Sequence, residues 1–232
     1  MSQDIIGKAF TYTKEGFVGN WMRWILLLVC VFIQSITLFL VPLFNGYLLR
    51  VAGANDSAPE VNDLVKLFID GWKANIAVLI YMIPAIVLAF VLGFMALAPE
   101  LMAILSGGTP NIELFIGMLV SLAIVFLVVI LIALFMFIGL IRLGQTGNLS
   151  EAFNFSAIND VIESGVGGIG YIGYCILLWI IVVLYYIVMG LLISNSFEGI
   201  KIVGFIFLLI LTPLVSVFAV SYLRNIYNAG KN

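Results

Sequence analysis

The sequence contains no histidine, only two cysteines and only 9% charged residues. Without histidine, the chain lacks the commonest general base, the commonest proton shuttle and the imidazole metal ligand. Cys30 and Cys175 each lie inside an apolar run, where packing is their expected role. No Asp, Glu, Lys or Arg stands in the middle of a long apolar run, although such residues usually mark proton relays and ion-coupled carriers. We therefore expect no catalytic residues, no cofactor-binding residues and no metal site.

Apolar residues make up 64% of the chain, which is more than a water-soluble globule can cover with polar groups. Long apolar runs predict membrane-spanning helices, because a helix satisfies its own backbone groups inside about 30 Å of hydrocarbon. We predict an all-α integral membrane protein, a single membrane domain over residues 1–232, located in the cell (plasma) membrane. The five predicted spans cover residues 24–41, 76–98, 114–141, 169–193 and 203–220.

The first predicted span is followed by Pro42 and Gly46, so we expect a bent helix that continues to Arg50. The loops after spans one and three and the C-terminus carry most basic residues, which favours a cytoplasmic location for them. A five-span count then places the N-terminus outside, although it carries Lys8, Lys14 and Arg23. The alternative is a re-entrant pair of half-helices broken near Gln34 and Ser35.

Two segments between the spans have helical periodicity with one apolar side, which predicts amphipathic helices at the membrane surface. They cover residues 60–73 and 156–165. The spacing of Ser57 and Glu60 predicts a capping box at the start of the first, and Asn148 and Glu151 have the same spacing before the second.

The two segments also resemble each other, since "VNDLVK" from Val61 aligns with "INDVIE" from Ile158. "GYLLR" ending at Arg50 likewise resembles "GLIR" ending at Arg142. These similarities predict an internal parallel repeat over residues 24–98 and 114–193, with the fifth span outside it.

Two groups of residues are the candidate functional positions. The first group lies at the span exits and on the surface helices, where lipid or a protein partner is the expected contact: Arg50, Val61, Leu64, Phe68, Trp72, Arg142, Ile158 and Val161. The second group would line a polar path if its members converged: Gln34, Thr212 and Ser216. The simpler interpretation of the second group is that its side chains bond their own helix backbone or one neighbouring helix.

Three segments carry a resemblance to a known family. They are "VPLFNGYLLRV" from Val41, "LFIDGWK" from Leu67 and "IRLGQTGNLSEAFNFSAI" from Ile141. They resemble an uncharacterised family of archaeal and bacterial multi-pass membrane proteins that is classed as a domain of unknown function. The resemblance covers nearly the whole chain and implies an archaeal plasma-membrane protein, but it brings no functional residues with it.

These observations favour a non-catalytic membrane protein that acts as a scaffold, an accessory subunit or a lipid-interacting protein. The expected partners are membrane lipids, with a protein partner or a homo-oligomer also open. The net charge of -2 and the scattered Lys and Arg residues argue against nucleic acid. The alternative function is a channel or facilitator for a small uncharged or weakly charged solute, and a third hypothesis is a lipid-modifying membrane enzyme.

Overall fold

The chain folds into helices, as the composition predicts. The computed structural model describes residues 2–54, 57–107 and 112–231, and no β-strand occurs within these ranges. The all-α prediction is confirmed. The α-helices in chain order are α1 (Ser2–Phe17), α2 (Trp21–Ile36), α3 (Leu43–Gly53), α4 (Leu64–Leu105), α5 (Ile112–Thr146), α6 (Phe155–Gly165), α7 (Gly168–Ile193) and α8 (Glu198–Ala229), with a short 3-10 helix at Leu149–Phe153 before α6.

Four of these helices are long and apolar enough to cross a membrane. The qualifying segments are Leu64–Met95, Phe115–Thr146, Gly168–Ile193 and Glu198–Ala229, and they contain most of predicted spans two to five. Each exceeds the length of about 20 residues that a bilayer requires. Helices α1 and α2 qualify only as a pair that is bent by 98°. The protein is therefore a multi-pass membrane protein with four spans, or five if the bent pair is one.

The first predicted span is broken more completely than the sequence suggested. Helix α2 ends at Ile36, the chain turns over residues 37–42, and α3 begins at Leu43. The expected continuous helix to Arg50 is wrong, because α3 folds back beside α2. The Gln34 Oε1 atom accepts the Asn45 backbone N–H at 3.0 Å, and the Gln34 Nε2 atom donates to Asn45 Oδ1 at 3.1 Å. The break begins directly after Ile36, close to Gln34 and Ser35, near which the alternative prediction placed it.

The predicted surface helix over residues 60–73 is not a separate element. Helix α4 begins at Leu64 and continues without a break through Ile76, so this segment forms the first turns of a membrane span. Asp63 sets the start of the helix, since its Oδ1 atom accepts the Lys66 N–H at 3.1 Å and its φ is 49°. The cap is therefore Asp63 and not the expected Ser57 with Glu60.

The helix predicted over residues 156–165 is confirmed as α6, which is capped by the Asn154 side chain, and its location at the membrane surface stays a prediction. It ends before Gly167, whose φ of 70° separates it from α7. The two segments that resemble each other thus have different structures, because residues 61–66 lead directly into a span and residues 158–163 lie in a separate short helix. The internal repeat stays a prediction.

Close backbone packing holds α3 against α4. A Cβ atom on Gly46 would lie 1.9 Å from the Leu67 carbonyl oxygen, and one on Gly71 would lie 1.9 Å from the Pro42 carbonyl oxygen. Beside this contact, the Asn45 Nδ2 atom donates to Asn75 Oδ1 at 2.6 Å. Two glycines therefore permit the approach, and an amide pair within it satisfies polar groups that hydrocarbon would not.

The chain divides into two compact units. One comprises Met1–Ala77 and Phe137–Asn232, and the other is Val78–Met136, which contains the C-terminal part of α4 and the N-terminal part of α5. The core of the first unit contains Phe17, Leu27, Tyr47, Leu67 and Val217, which come from five different helices and have no exposed surface. The single-domain assignment over residues 1–232 stays a prediction. The features described below belong to the first unit.

Candidate functional site

The segments that follow α3, α5 and α8 meet at one end of the first unit, which we call the charged end. Two contacts attach both termini to it: the Asn225 side chain donates to the Ile5 carbonyl at 3.2 Å, and Arg224 Nη1 donates to the Val51 carbonyl at 2.9 Å. A third contact joins α4 to the loop after α5, where Lys73 Nζ donates to the Gly147 carbonyl at 3.1 Å. The segments after α3, α5 and α8 therefore lie together.

Nearly all basic residues belong to the segments that meet at the charged end. Lys201, in the first turn of α8, is the exception and pairs with Glu198 at 2.7 Å. The charged-end group comprises Lys8, Lys14, Arg23, Arg50, Lys66, Lys73, Arg142, Arg224 and Lys231. Acidic residues are also numerous here, so an anion would be attracted only where basic side chains locally outnumber acidic ones.

A cleft of about 390 Å³ opens at this end between the end of α3, the start of α4 and the end of α5. Its lining includes three cationic side chains, Arg50, Lys66 and Lys73, and one carboxylate, Asp70. Lys66, Asp70 and Lys73 lie on one face of α4, because they are four and three residues apart. The formal charge of these four side chains is positive.

Arg50 is held in place by backbone carbonyls instead of a close carboxylate. Its Nη1 atom donates to the Asn62 carbonyl at 2.8 Å, and its Nη2 atom donates to the Asp63 carbonyl at 3.0 Å. Its Nε atom is buried without a hydrogen-bond partner among the described residues, and it lies 3.8 Å from Asp70 Oδ2. The carbonyls are neutral, so Asp70 is the ion-pair partner of Arg50. The cleft retains an attraction for anions because its three cations exceed this carboxylate.

Asp70 forms an ion pair with each of two cations but a hydrogen bond with neither. Its Oδ1 atom lies 3.9 Å from Lys73 Nζ, and its Oδ2 atom is 3.8 Å from Arg50 Nε, both beyond hydrogen-bond distance. One carboxylate between two cations reduces their mutual repulsion, but it does not saturate their donors. Lys66 is exposed and forms no ion pair among the described side chains.

Glycines bring the backbones of α3 and α5 together beneath these charges. A Cβ atom on Gly53 would lie 2.3 Å from the Gly144 carbonyl oxygen, and one on Gly144 would lie 2.6 Å from the Leu49 carbonyl oxygen. Gly147 then ends α5 with a φ of 70°. The base of the cleft is consequently backbone and small residues, which leaves room for a ligand against the cationic side chains.

The segment that forms this cleft matches a known family model. The model described as "Protein of unknown function (DUF4013)" matches residues 29–194, which is most of the chain. The chain belongs to the DUF4013 family. No curated protein and no solved structure gives a significant match to the chain. The DUF4013 match includes every residue that lines the cleft, and it excludes α1 and α8.

Of the predicted contact residues within the DUF4013 segment, only Arg50 lines this cleft. Arg142 is paired with Glu151, to which its Nε atom donates at 2.8 Å, so its charge is compensated locally. Ile158 is fully buried inside the first unit and has no surface left for lipid. The remaining members have accessible surface, with Leu64 and Phe68 exposed and Val61, Trp72 and Val161 half-buried.

The residues of the predicted polar path are engaged in separate interactions. Gln34 bonds Asn45, as described above, whereas Thr212 pairs with the Tyr185 hydroxyl at 2.9 Å. Ser216 donates to the Thr212 carbonyl at 3.0 Å. These contacts are the ones expected from the simpler interpretation, in which each polar side chain bonds its own helix or one neighbour.

Lys66, Asp70 and Lys73 were not recognised as site residues from the sequence, where they appeared as the polar face of a surface helix. Their spacing signals a shared face, but only the fold brings Arg50 and the glycines of α5 to that face. No three His, Cys, Asp or Glu side chains come together as a metal site in the ranges that the structure describes. The cleft therefore offers chemistry suited to an anion.

Proposed function

We propose that this DUF4013 protein is a non-catalytic multi-pass protein of the plasma membrane that binds the phosphate of an anionic lipid headgroup in the cleft at its charged end. The observation that supports it is the excess of cations among the described lining residues, where Arg50, Lys66 and Lys73 surround the carboxylate of Asp70. In this role the protein acts as a lipid-dependent scaffold or accessory subunit.

The position of the cleft favours a lipid over a soluble anion. Two spans border the cleft: one begins at Leu64, and the other ends at Thr146. Lys66 and Lys73 thus lie in the first turns of one span, and Gly144 lies in the last turn of the other. These are the depths at which a span meets the headgroup layer. A phosphate in this layer would reach the cleft while its acyl chains remain among the exposed apolar side chains of α4 and α5.

The chemistry of the cleft fits a phosphate ester. Lysine ammonium groups supply point charges that tolerate variable geometry, and Arg50 supplies a fixed planar charge. A basic side chain near an anionic membrane surface contributes about 1 kcal/mol. Two lysines therefore account for roughly 30-fold in affinity, since about 1.4 kcal/mol corresponds to tenfold.

The test compares retention of anionic lipid by charge-matched variants. The purified protein is equilibrated with phosphatidylglycerol in mild detergent, and bound lipid is quantified by native mass spectrometry. The double variant Lys66→Gln with Lys73→Gln should bind roughly 30-fold more weakly than the parent. The control Lys14→Gln with Lys231→Gln removes the same charge outside the cleft and should change affinity by less than about threefold. Equal losses in the two variants would contradict the proposal.

Two further arms separate the possible anions. Phosphatidylcholine, which has a phosphate but no net charge, should bind more weakly than phosphatidylglycerol and depend less on the two lysines. Millimolar inorganic phosphate should not displace bound phosphatidylglycerol. Displacement by inorganic phosphate, with loss of lipid discrimination, would identify the cleft as a site for soluble anions.

A further inference from the structure

The turn between α2 and α3, residues 37–42, leaves no backbone N–H group without a partner. This is unusual for a surface turn, where water normally serves some of these donors. Pro42 has no N–H group, and each neighbouring residue donates within the turn: Thr37 to Ile33 O, Leu38 to Ser35 O, Phe39 to Gln34 O, Leu40 to Thr37 O, Val41 to Thr37 Oγ1 and Leu43 to Val41 O, all between 2.9 and 3.2 Å. The turn therefore meets the donor half of the requirement for backbone in hydrocarbon, whereas the Leu38, Phe39 and Leu40 carbonyls accept no hydrogen bond from the described residues.

The residues that close the turn have apolar side chains where the backbone favours glycine. Leu38 and Phe39 have φ values of 49° and 66°, in the left-handed region that leucine and phenylalanine rarely adopt. The backbone hydrogen bonds from Leu38 N–H to the Ser35 carbonyl and from Phe39 N–H to the Gln34 carbonyl form a Schellman motif. This motif usually has glycine at the position that Leu38 occupies. At the charged end the corresponding left-handed positions are Gly147 and Gly167. The sequence thus departs from glycine at this turn.

The surroundings of the turn explain the choice of residue. Leu38, Phe39 and Leu40 are 82%, 57% and 65% exposed within the chain. Three large apolar side chains on a protruding turn are unfavourable in water and favourable among acyl chains. Asparagine, which tolerates the left-handed region, would add a polar group in hydrocarbon.

Both arms of this hairpin lead to the charged end. Asn20 and Arg23, at the start of α2, line a small cleft together with Glu60 and Val61, which follow α3. The Tyr47 hydroxyl of α3 also donates to the Pro59 carbonyl at 2.9 Å. The chain therefore enters and leaves the hairpin at the same end. Helix α2 has 16 residues, or about 24 Å, which is shorter than the hydrocarbon core.

We propose that α2 and α3 form a re-entrant hairpin whose turn, residues 37–42, contacts acyl chains inside the bilayer. The chain then crosses the membrane four times, and the N-terminus lies on the same side as the loops after α3 and α5. This arrangement removes the conflict in the distribution of charge, because Lys8, Lys14 and Arg23 join the other basic residues. By the positive-inside rule, the charged end faces the cytoplasm. The proposal does not depend on lipid binding in the cleft.

The test uses single cysteines in a Cys30→Ala, Cys175→Ala background, labelled in intact cells and after permeabilisation with a membrane-impermeant maleimide. Ser2→Cys and Ser57→Cys should label only after permeabilisation. Asn195→Cys, between α7 and α8, should label in intact cells. Labelling of Ser2→Cys and Ser57→Cys from opposite sides would overturn the hairpin, because it requires a crossing between them.

The environment of the turn is measured separately with spin labels at Leu38→Cys and Leu40→Cys in reconstituted vesicles. Leu40→Cys is included because it avoids the two left-handed positions. We expect frequent collisions with oxygen and few with a water-soluble nickel complex at both positions. Frequent collisions with nickel would show a turn in water, and few collisions with either reagent would show a turn covered by protein. Either result would overturn contact with acyl chains.

Discussion

Replacing Gly71 with alanine tests the packing of α3 against α4, on which the hairpin and the cleft both depend. The added Cβ atom would lie 1.9 Å from the Pro42 carbonyl oxygen, a backbone atom that cannot rotate away. The matched change is Gly93→Ala in the same helix, where no described atom outside the adjacent helix backbone lies within 4 Å of the added Cβ. Helix propensity alone favours alanine at both positions by about 1 kcal/mol. The structure therefore predicts opposite signs for two identical substitutions.

The size of the effect follows from the displacement that the clash requires. Ordinary contact begins near 3.4 Å, so α3 and α4 must separate by more than an ångström locally. Overpacking of this kind costs about 3 kcal/mol at the upper end of its usual range. The 2.6 Å bond between Asn45 and Asn75 lies beside the contact, and its loss would cost about 1 kcal/mol more. After the gain in propensity, Gly71→Ala should destabilise the protein by about 3 kcal/mol.

Thermal unfolding in mild detergent, followed by circular dichroism, measures both variants. At about 2–4 °C per kcal/mol for a chain of this size, Gly71→Ala should lower the Tm by about 6–12 °C. Gly93→Ala should leave the Tm unchanged or raise it by a few degrees. Equal Tm values for the two variants, whether both rise or both fall, would refute the close approach of α3 to α4 as the source of the difference.

Three further predictions concern polar groups in the first unit. Tyr47→Phe should lower stability by about 1 kcal/mol in thermal unfolding, because it loses the hydrogen bond to the Pro59 carbonyl. Arg224→Lys should lower stability by about 2–3 kcal/mol in thermal unfolding, because the buried guanidinium makes several directed contacts that an ammonium group cannot reproduce. A double-mutant cycle of Arg142→Gln and Glu151→Gln should give a coupling energy of about 1 kcal/mol, and a value near zero would contradict a stabilising ion pair.

The spans were predictable because their signal is local. A long apolar run must be helical in hydrocarbon, and α5, α7 and α8 contain the runs over which they were expected. The prediction of a separate surface helix over residues 60–73 was wrong because it depended on helical periodicity alone. A helix at the surface and the first turns of a span both have one apolar side, and nothing local distinguishes them. Asp63 decides the outcome by fixing the helix start at Leu64.

The cleft was only partly predictable, because its charge excess depends on contacts between distant segments. Arg50 was identified by its place at the exit of an apolar run, and Arg142 was identified for the same reason. The fold distinguishes them: Arg142 has Glu151 within hydrogen-bond distance, whereas Arg50 has backbone carbonyls and a carboxylate 3.8 Å away. Two arginines with the same sequence context consequently differ in their capacity to attract an anion.

The hairpin shows how lipid can reverse the usual preference for a residue type. In water, a left-handed turn position favours glycine or asparagine, because the conformational energy of the backbone decides the preference and an exposed leucine side chain gains no transfer free energy. In hydrocarbon, the apolar side chain regains its transfer free energy and asparagine becomes costly, so Leu38 and Phe39 suit this turn in a bilayer. The sequence "TLFLVP" therefore resembles part of a span when only hydropathy is considered. The complete set of backbone N–H bonds, together with the exposed apolar side chains, supports a turn in the membrane interior.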